Sequence, residues 1–255
     1  MRLLDLPPAL LPAAARAGAA GWAVEVAAGR AADLHAEDLL AGDAGRRSRR
    51  LARVHLVDAP ALVLGSAQGA LGGIPAEGID LVRRRSGGGA VWLAPSAQVW
   101  VDLVVERGDP LWDDDVGRAA HWVGDAWAAA LRAVGERGAV QVHRGAMVRR
   151  DLGRVACFAG LGPGEVTVGA RKVVGVSQRR ARGRARFQTV AYLRWDPSGL
   201  LSVVGDDPPG VAHALGDLAG AAVPGDGTAA GAQAGGGAWG DPGTDLLAAL
   251  LDALP

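Results

Sequence analysis

Between residues 59 and 193 the chain consists largely of short apolar segments rich in β-forming residues, separated by turn-forming residues such as Gly, Pro and Asp. The segments are APALVLGSAQ, GIDLVRR, GGGAVWL, QVWVDLVV, AVQVH, RVACF, EVTV, KVVGVSQ and RFQTVAYL. Their lengths are those of strands, and strands so close together along the chain pair within a sheet. We therefore predict an α/β (α+β) fold, in which a mixed, largely antiparallel central β-sheet is flanked by helices, and not an up-and-down barrel.

Two connections predict hairpins. A Gly-rich turn joins GIDLVRR to GGGAVWL, which favours neighbouring antiparallel strands over a strand that feeds a helix. Gly169 and Ala170 stand between EVTV and KVVGV. A tight turn there would place Lys172 at the start of a strand, where it can point into a cleft.

One helix is clearly indicated within residues 109–138. Apolar residues recur there at helical spacing, at Val116, Ala120, Val123, Trp127, Leu131 and Val134. We expect Asp113 to Asp115 to cap its N-terminus and Gly135 to end it. His121 lies beside the apolar face, which favours a partly buried packing histidine over a catalytic one.

The composition divides the chain into two parts. We predict that residues 1–200 form the main domain, with its core at 59–195, and that residues 201–255 form an Ala/Gly-rich linker and a short C-terminal helix. Residues 220–244 favour a flexible linker. The segment TDLLAALLDAL, Thr244 to Leu254, is typical of a capped amphipathic helix that docks on the core.

The net charge, the lengths of the apolar runs and the cysteine count argue against several classes of function. The 255 residues carry a formal net charge of zero, which disfavours a general nucleic-acid or anionic-membrane binder. No apolar run approaches the roughly 20 residues that span a bilayer. Pro7, Pro8 and Pro12 break the N-terminus into a loop and short helix, with a weak signal peptide as the alternative. Cys157 is the single cysteine, which fits a reducing compartment. We therefore predict a cytoplasmic protein without nucleic-acid or membrane partners.

The stretch RRRSGGGAV, Arg83 to Val91, is a candidate ligand loop. Three consecutive glycines let the backbone take positive φ and approach a ligand closely, and their N–H groups can form a nest for an anion. The flanking arginines add positive charge, and Ser86 adds a hydroxyl donor. The stretch matches neither a GxxxxGK[ST] phosphate loop nor a GxGxxG turn before a helix. A loose hairpin without a ligand is the alternative.

Lys172 is the only lysine among 27 lysine and arginine residues. The chain is rich in Ala, Gly and Arg and has no Asn, which is typical of a GC-rich genome, where arginine replaces lysine wherever it serves. A retained ammonium is therefore informative, because it is a compact point charge that can contact a carbonyl or phosphate oxygen. Such a group stabilises charge that develops on an acyl oxygen. The alternative is a solvated surface lysine.

Cys157 stands in the apolar segment RVACF, just before a Gly-Pro loop. A lone cysteine in a strand is usually a small buried hydrophobe, whereas at a strand end near a cleft it can act as a nucleophile. The spacing does not decide between these roles, and it identifies no base, since His143 is only the nearest histidine in sequence. The arginines between Arg171 and Arg186 leave a similar choice: a solvated loop, or a surface for an acidic partner domain or a phosphopantetheine-linked carrier.

Together these motifs resemble the lipoate–protein ligase family, whose catalytic domain is related to that of biotin protein ligases. LVRRRSGGGAVW resembles the family's RRxSGGGAV signature, and LVLGSAQ resembles its strand ending in Gly-x-x-Gln. GARKVVGVSQRR resembles the GxKxxGSAQxR segment with the family's essential lysine. The resemblance covers about Pro60 to Leu193, with the motifs in the family's order. It implies a catalytic domain of the biotin/lipoate protein ligase type.

By this resemblance, a lipoyl or octanoyl group is joined by an amide bond to a lysine of a carrier domain, such as the glycine cleavage H protein or the E2 of a 2-oxoacid dehydrogenase. Lys172 would contact the acyl carbonyl oxygen, and Val91, Val101 and Leu103 would line an alkyl tunnel if they face inward. No metal ligand is implied. The implied substrate-binding residues are Arg83, Arg84, Ser86, Gly87, Gly88, Gly89, Ala90, Gly175 and Gln178.

Two branches of the family differ in chemistry. ATP-dependent ligases activate free lipoate as an adenylate, with ATP and Mg²⁺, and typically carry an Asn-Asp pair that this chain lacks. Octanoyltransferases need no cofactor and take octanoate from acyl carrier protein as a cysteine thioester, with a pattern resembling CFxxPSxYE followed by GRK. CFAGLGPGE and ARK place Cys157 fifteen positions before Lys172, as in that branch, and Glu165 also matches. We therefore predict that Cys157 and Lys172 are catalytic, with the ATP-dependent ligase as the alternative.

Several positions depart from the family. Leu93 and Ala94 stand where His-Asp is frequent, Thr189 stands where the octanoyltransferases have His, and Val176 replaces a small residue. These departures leave open a non-catalytic carrier-binding homologue, or a diverged ligase in which Cys157 only packs. A biotin ligase is disfavoured because its GRGRxG loop is replaced by RRxSGGG.

Overall fold

The structure, a computed structural model, describes residues 1–41, 49–69, 77–204, 209–216 and 241–255. The strands in chain order are β1 Arg2–Leu4, β2 Trp22–Gly29, β3 Arg50–Val57, β4 Ala61–Leu64, β5 Asp80–Arg83, β6 Val91–Leu93, β7 Gln98–Glu106, β8 Val140–Val142, β9 Val166–Val168, β10 Arg171–Ala181 and β11 Arg184–Tyr192. The helices are α1 Leu11–Ala19, α2 Ala31–Ala36, α3 His121–Ala133, α4 Arg150–Val155, α5 Ser198–Val204, α6 Val211–Gly216 and α7 Asp241–Asp252, with short 3-10 helices at Pro8–Leu10 and Cys157–Ala159.

Eight strands form the central sheet, in the order β1-β2-β3-β7-β11-β10-β9-β8. Among the described strands of this sheet, only β2 and β3 run parallel; the other neighbours are antiparallel. A separate small sheet has the order β5-β4-β6. The predicted α/β fold with a mixed, largely antiparallel central sheet is confirmed, although the strands divide between two sheets instead of forming one.

Two local predictions about strands are wrong. The strands on either side of the Gly-rich turn, β5 and β6, do not pair with each other, because each pairs with an opposite edge of β4. The segment RVACF forms the end of α4 and a 3-10 helix instead of a strand. Its backbone is held by contacts outside the segment, since the Cys157 N–H donates to the carbonyl of Ala90. Strands β1 and β2, in the Ala-rich N-terminal part, and β3 after it were not anticipated.

The predicted hairpin at Gly169 and Ala170 is confirmed. Strands β9 and β10 pair in antiparallel fashion, with Arg171 opposite Val168. Gly169 takes φ +59°, a left-handed conformation that glycine adopts without a side-chain clash. A β-bulge follows between Lys172 and Val174, and it shifts the alternation of side chains along the rest of β10.

The predicted helix is present as α3, but it begins later than the pattern indicates. Val116 lies in the preceding turn and is exposed, and Asp115 caps that turn through the N–H groups of Gly117 and Arg118. The N-cap residue of α3 is Ala120, without a side-chain cap. The end is as predicted, because Gly135 takes φ +93° just beyond the helix.

Helices α1, α3 and α7 cover one face of the central sheet and enclose the main core with alternate residues of β7, such as Val101 and Leu103. The predicted docking of the C-terminal helix is confirmed by its four buried leucines, Leu246, Leu247, Leu250 and Leu251. The helix begins at Asp241, so residues 241–244 belong to it, and residues 220–240 of the predicted linker lie outside the described part. The boundary at 200/201 stays a prediction.

The small sheet and α2 cover the opposite face of the central strands. Trp100 of β7 packs there with Leu34 of α2, Val63 of β4 and Val91 of β6. The candidate site lies on this side, between the two sheets. Within the described residues, no helix is both long and apolar enough to cross a membrane.

Candidate functional site

A cavity lies between the small sheet and the central strands β7, β10 and β11. Its walls are mainly apolar, which suits a hydrocarbon chain, and a few polar groups stand among them. The lining residues are His35, Val63, Arg84, Val91, Leu93, Trp100, Cys157, Phe158, Gly175, Val176, Ser177, Gln188 and Val190.

Backbone hydrogen bonds place the Gly-rich loop against the Cys157 segment. The N–H of Ala90 donates to the carbonyl of Val155 at 2.8 Å, and the N–H of Cys157 donates to the carbonyl of Ala90 at 2.9 Å. Gly89 is required for this approach, because a Cβ there would lie 2.6 Å from the carbonyl oxygen of Gly153. The half-buried thiol of Cys157 is thereby fixed at the wall of the cavity.

Lys172 is buried beside Cys157, with 3% of its surface exposed. Its Nζ lies 2.7 Å from Oε2 of Glu165 and donates to the carbonyls of Cys157, at 2.7 Å, and Gly160, at 3.2 Å. The same Nζ is 3.8 Å from the Cys157 sulfur and 4.8 Å from the ring centroid of Phe158. The two residues predicted to be catalytic are therefore in contact.

Glu165 holds the lysine and the backbone around it. Its Oε2 accepts a hydrogen bond from the Gly162 N–H at 2.7 Å, and its Oε1 accepts one from the Val176 N–H at 3.1 Å. The carboxylate thus joins β10 to the loop that follows Cys157. A buried ion pair persists when its remaining atoms are hydrogen-bonded in this way.

The arginines of the Gly-rich loop stabilise the loop itself. Arg84 is buried and donates to the carbonyls of Gly87 and Gly89, and burial lowers the pKa of its guanidinium. Arg83 lies on the outer side and donates to the carbonyls of Gly65 and Gln68. Gly88 at the tip takes φ +96°. The loop is therefore preformed.

A chain of polar side chains crosses from the loop to the central sheet. The Ser86 hydroxyl donates to Oε1 of Gln188 at 2.7 Å and lies 2.9 Å from the Ser177 hydroxyl oxygen. Nε2 of Gln188 is buried without a hydrogen-bond partner. This chain ties the loop to β10 and β11 at the cavity wall.

The structure brings most of the predicted site residues together. Cys157, Arg84 and Gly175 line the cavity, and Lys172 contacts the sulfur. Ser86 bonds to Gln188 of the cavity wall, whereas Arg83 lies on the outer side of the loop. Gly175 is required because a Cβ there would lie 2.9 Å from the Phe158 ring.

Gln178 is not among them. It pairs across the strands with Phe187, which packs on α3, and it lies beside the Val116 carbonyl and the Arg180 guanidinium. Its side chain is therefore on the opposite face of the sheet from the cavity.

The proposed tunnel residues and the departures from the family divide between the two faces. Val91 and Leu93 line the cavity, whereas Val101 and Leu103 point into the main core on the other face. Thr189 also points away from the cavity, since Gln188 and Val190 on either side of it line the cavity. Its hydroxyl donates to the carbonyl of Val101 at 2.7 Å.

Sequence reasoning missed His35, Trp100, Ser177 and Gln188 in the cavity wall. His35 lies on the short helix α2 and stacks on Trp100 with ring centroids 4.7 Å apart. Burial lowers the pKa of His35 to about 3, so its ring is neutral at physiological pH. Nothing in the local pattern around residue 35 indicates a role, because it is the tertiary fold that brings α2 over β7.

A second charged cluster lies behind Trp100. His55 Nε2 is 2.8 Å from Oδ2 of Asp102, Arg186 Nε donates to the same oxygen at 3.0 Å, and Trp100 Nε1 donates to Oδ1 at 3.1 Å. Burial raises the pKa of Asp102, but Arg186 and His55 outweigh it and lower that pKa overall. Burial also lowers the pKa of His55. Among the described residues no group of three or more His, Cys, Asp or Glu is placed to hold a metal ion.

Comparisons with known proteins agree with this architecture. The fold is similar to that of T. acidophilum Ta0514 with bound lipoic acid, at 16% identity and a TM-score of 0.54, covering 76% of this chain and 81% of that chain. It is similar to the bi-partite lipoate protein ligase of an archaeal lipoylation system from Thermoplasma acidophilum, at 15% identity and a TM-score of 0.53, covering 94% and 77%. It is also similar to lipoate-protein ligase A bound with ATP, at 17% identity and a TM-score of 0.50, covering 68% and 66%.

Sequence comparison identifies the family. No match was found among curated protein sequences. The family model of the lipoyl protein ligase A/B catalytic domain matches residues 34–213, which is most of the chain and includes Cys157 and Lys172. The chain therefore belongs to the lipoyl protein ligase A/B catalytic domain family.

Proposed function

We propose that this protein is an acyltransferase that carries an octanoyl or lipoyl group as a thioester on Cys157 and transfers it to a lysine of a lipoyl carrier domain. The observation that carries the proposal is the contact between the Lys172 ammonium and the Cys157 sulfur, 3.8 Å apart, at the wall of an apolar cavity.

The chemistry consists of two transfers at one sulfur. The Cys157 thiol gives up its proton, and its sulfur attacks the carbonyl carbon of an acyl thioester on acyl carrier protein. The bond between the carbonyl carbon and the carrier's sulfur breaks, and that sulfur leaves as a thiol with the proton that Cys157 lost. The amine of the carrier-domain lysine then attacks the Cys157 thioester, an amide bond forms, and the Cys157 thiol is regenerated with the proton lost by the amine. In both steps negative charge develops on the carbonyl oxygen, where the Lys172 ammonium would stabilise it.

The pairing of Lys172 suits this role. Glu165 and two backbone carbonyls fix the position of the ammonium before substrate arrives, so no reorganisation is needed when charge develops. An arginine would spread its charge over a planar guanidinium group, whose shape does not fit a site that holds a single ammonium.

The charges around the cavity favour a thioester over an adenylate. Arg84 donates to carbonyls of its own loop, and Arg83 donates to carbonyls outside the cavity. Among the described residues that line the cavity, Arg84 is the only arginine or lysine. A triphosphate would need several charge-assisted donors, which the described part of this wall does not offer.

The ATP-dependent ligase remains the second candidate, because one similar structure is a lipoate-protein ligase A bound with ATP. In that reaction the Gly-rich loop and Lys172 would hold an adenylate made from free lipoate with ATP and Mg²⁺, and Cys157 would only pack. The carrier is proposed to be a lipoyl domain, in keeping with the archaeal lipoylation system of a similar ligase and its E2 lipoyl domain.

The intact mass of an apo lipoyl domain tests the proposal. One reaction contains octanoyl acyl carrier protein without ATP, and the other contains free lipoate with ATP and Mg²⁺. We expect one octanoyl group to be added in the first reaction, and Cys157→Ala to abolish the addition. Addition only in the second reaction, unaffected by Cys157→Ala, would establish the ligase instead. No addition in either reaction would support the non-catalytic carrier-binding reading.

A further inference from the structure

We propose that α4 and the loop before it form a docking surface for an acidic carrier domain, the one whose lysine accepts the acyl group. This inference rests on the proposed transfer from Cys157. We call the surface the α4 face, and it consists of Met147, Val148, Arg149, Arg150 and Arg154, all of which are exposed.

The α4 face is close to the reactive sulfur. Helix α4 ends at Val155, two residues before Cys157. At about 1.5 Å per helical residue and at most about 3.6 Å per extended residue, Arg150 lies within about 15 Å of Cys157 along the chain. A domain that presents its lysine to the Cys157 thioester must therefore cover or adjoin this helix.

The α4 face is also held rigidly relative to the site. Val148 exchanges both backbone hydrogen bonds with Leu161, at 2.8 and 3.1 Å, so the loop before α4 is fixed to the loop after Cys157. Arg149, the N-cap residue of α4, has φ +49°, a left-handed conformation that is costly for a residue with a side chain. Such a conformation persists only where the surrounding contacts impose it.

The composition of the α4 face is that of an interface. Met147 and Val148 expose 42% and 46% of their surfaces, and methionine and arginine are enriched where proteins meet. Within the described residues, Arg149, Arg150 and Arg154 form no ion pair, whereas the exposed Arg118 and Arg144 pair with aspartates. Asp151 is the only acidic residue between 144 and 154. A net positive surface in a chain of zero net charge selects an acidic partner.

The reach of the substrate identifies which partner must touch this surface. A lysine amine extends about 6 Å from its Cα on a four-carbon stem, so the acceptor domain itself must approach the mouth of the site. An acyl group delivered on a long flexible arm does not impose such contact on its carrier. We therefore assign the α4 face to the lysine-bearing acceptor domain.

Charge reversal tests this assignment. The measurement is the Kd of the full-length protein for the apo lipoyl domain encoded in the same genome, at low and at high salt. Arg150→Glu and Arg154→Glu should each raise Kd by roughly three- to tenfold at low salt, and the effect should shrink at high salt. Arg2→Glu is the matched control, since Arg2 is exposed on β1 at the far edge of the central sheet, and it should change nothing.

A second readout separates docking from chemistry. Acylation of Cys157 by octanoyl-N-acetylcysteamine, a small thioester without a protein surface, should proceed at the wild-type rate in both variants. An unchanged Kd in both variants, a Kd insensitive to salt, or no binding by the wild-type protein would overturn the docking surface. Salt-dependent, α4-dependent binding without any acyl-Cys157 would support the docking surface and refute the proposed thioester route.

Discussion

Two clusters of buried charge lie on either side of the cavity wall, and they are built differently. Lys172 and Glu165 form an ion pair held by loop carbonyls and backbone N–H groups, and the lysine contacts the half-buried thiol. Asp102 is held by His55 and Arg186, which lie on the two strands adjacent to its own. Both clusters are almost fully removed from solvent.

The difference indicates different roles. The Asp102 cluster connects three adjacent strands, and its groups face one another instead of the cavity, so it positions Trp100 and stabilises the sheet. The Lys172 pair adjoins the only cysteine and the cavity, so its charge is available to a reacting acyl group. Burial of a charged residue is therefore weak evidence for catalysis unless a reactive group and a cavity adjoin it.

The largest expected effect is on activity, at Lys172. Lys172→Arg keeps the charge and the partner Glu165 but displaces the point charge from the sulfur, and Lys172→Met removes it. We expect both variants to lower the rate of acyl transfer by about 10²- to 10³-fold. The rate of octanoyl transfer to the lipoyl domain measures this, and circular dichroism checks the fold. Near wild-type transfer by Lys172→Arg would show that any cation suffices.

Asp102→Asn should have the opposite effects, a large loss of stability and little loss of transfer activity. It leaves Arg186 buried without a counter-charge, so we expect the free energy of unfolding to fall by about 3–5 kcal/mol. Because Asp102 does not touch the cavity, the folded protein should retain transfer rates within about threefold of wild type. Urea denaturation and the transfer assay at low temperature measure the two quantities. A large loss of rate in protein that is still fully folded would make the cluster part of the reaction.

Gly175→Ala tests how tightly the cavity wall packs next to Cys157 and Lys172. Its Cβ would lie 2.9 Å from the Phe158 ring, which packs against Tyr192 and Trp195 and adjoins Cys157. We expect a loss of about 1–3 kcal/mol in unfolding free energy, with lower transfer activity. Gly18→Ala, on an exposed turn of α1 with open space around it, is the control and should be neutral or stabilising by about 0.5–1 kcal/mol. Equal effects of the two changes would argue against tight packing at Phe158.

The smallest expected effect is on the pH dependence of stability. His35 has a pKa of about 3 in the folded chain against an ordinary value of 6.5, because it is buried. Between these values the unfolded chain binds a proton that the folded chain does not, so stability falls as pH falls through this window. At about pH 5.5 the loss from His35 is about 1 kcal/mol, and burial of His55 acts in the same direction.

Urea denaturation at about pH 7.5 and pH 5.5 measures this loss. His35→Phe should keep the stacking on Trp100 and remove part of the pH dependence. An unchanged dependence in this variant would mean that His35 is protonated in the folded protein.

The sequence predicted those elements whose residues alternate or recur regularly. The Lys172 hairpin and the apolar face of α3 follow from local patterns, whereas the predicted pairing of the strands on either side of the Gly-rich turn is wrong. Gln178 was placed in the site by the resemblance to the family's GxKxxGSAQxR segment, and in a regular strand its distance of six residues from Lys172 would put both side chains on one face. The bulge after Lys172 reverses that alternation, and nothing in the local sequence announces it.

The buried cluster was missed for a different physical reason. In RLARVHLV, Arg53 and His55 alternate with apolar residues, as in a strand with one solvated face. The fold covers that face with the small sheet and α2, and so buries both side chains. Whether a polar face is covered depends on distant segments, which a local pattern does not specify.

The central claim is that Cys157 carries the acyl group, and trapping the acyl-enzyme tests it most directly. The full-length protein is incubated with octanoyl acyl carrier protein, without ATP and without a lipoyl domain, and its intact and peptide masses are measured. We expect one octanoyl group on the Cys157 peptide, released by hydroxylamine, and none on Cys157→Ala. An unmodified Cys157, in protein that lipoylates its carrier only with free lipoate, ATP and Mg²⁺, would contradict this account.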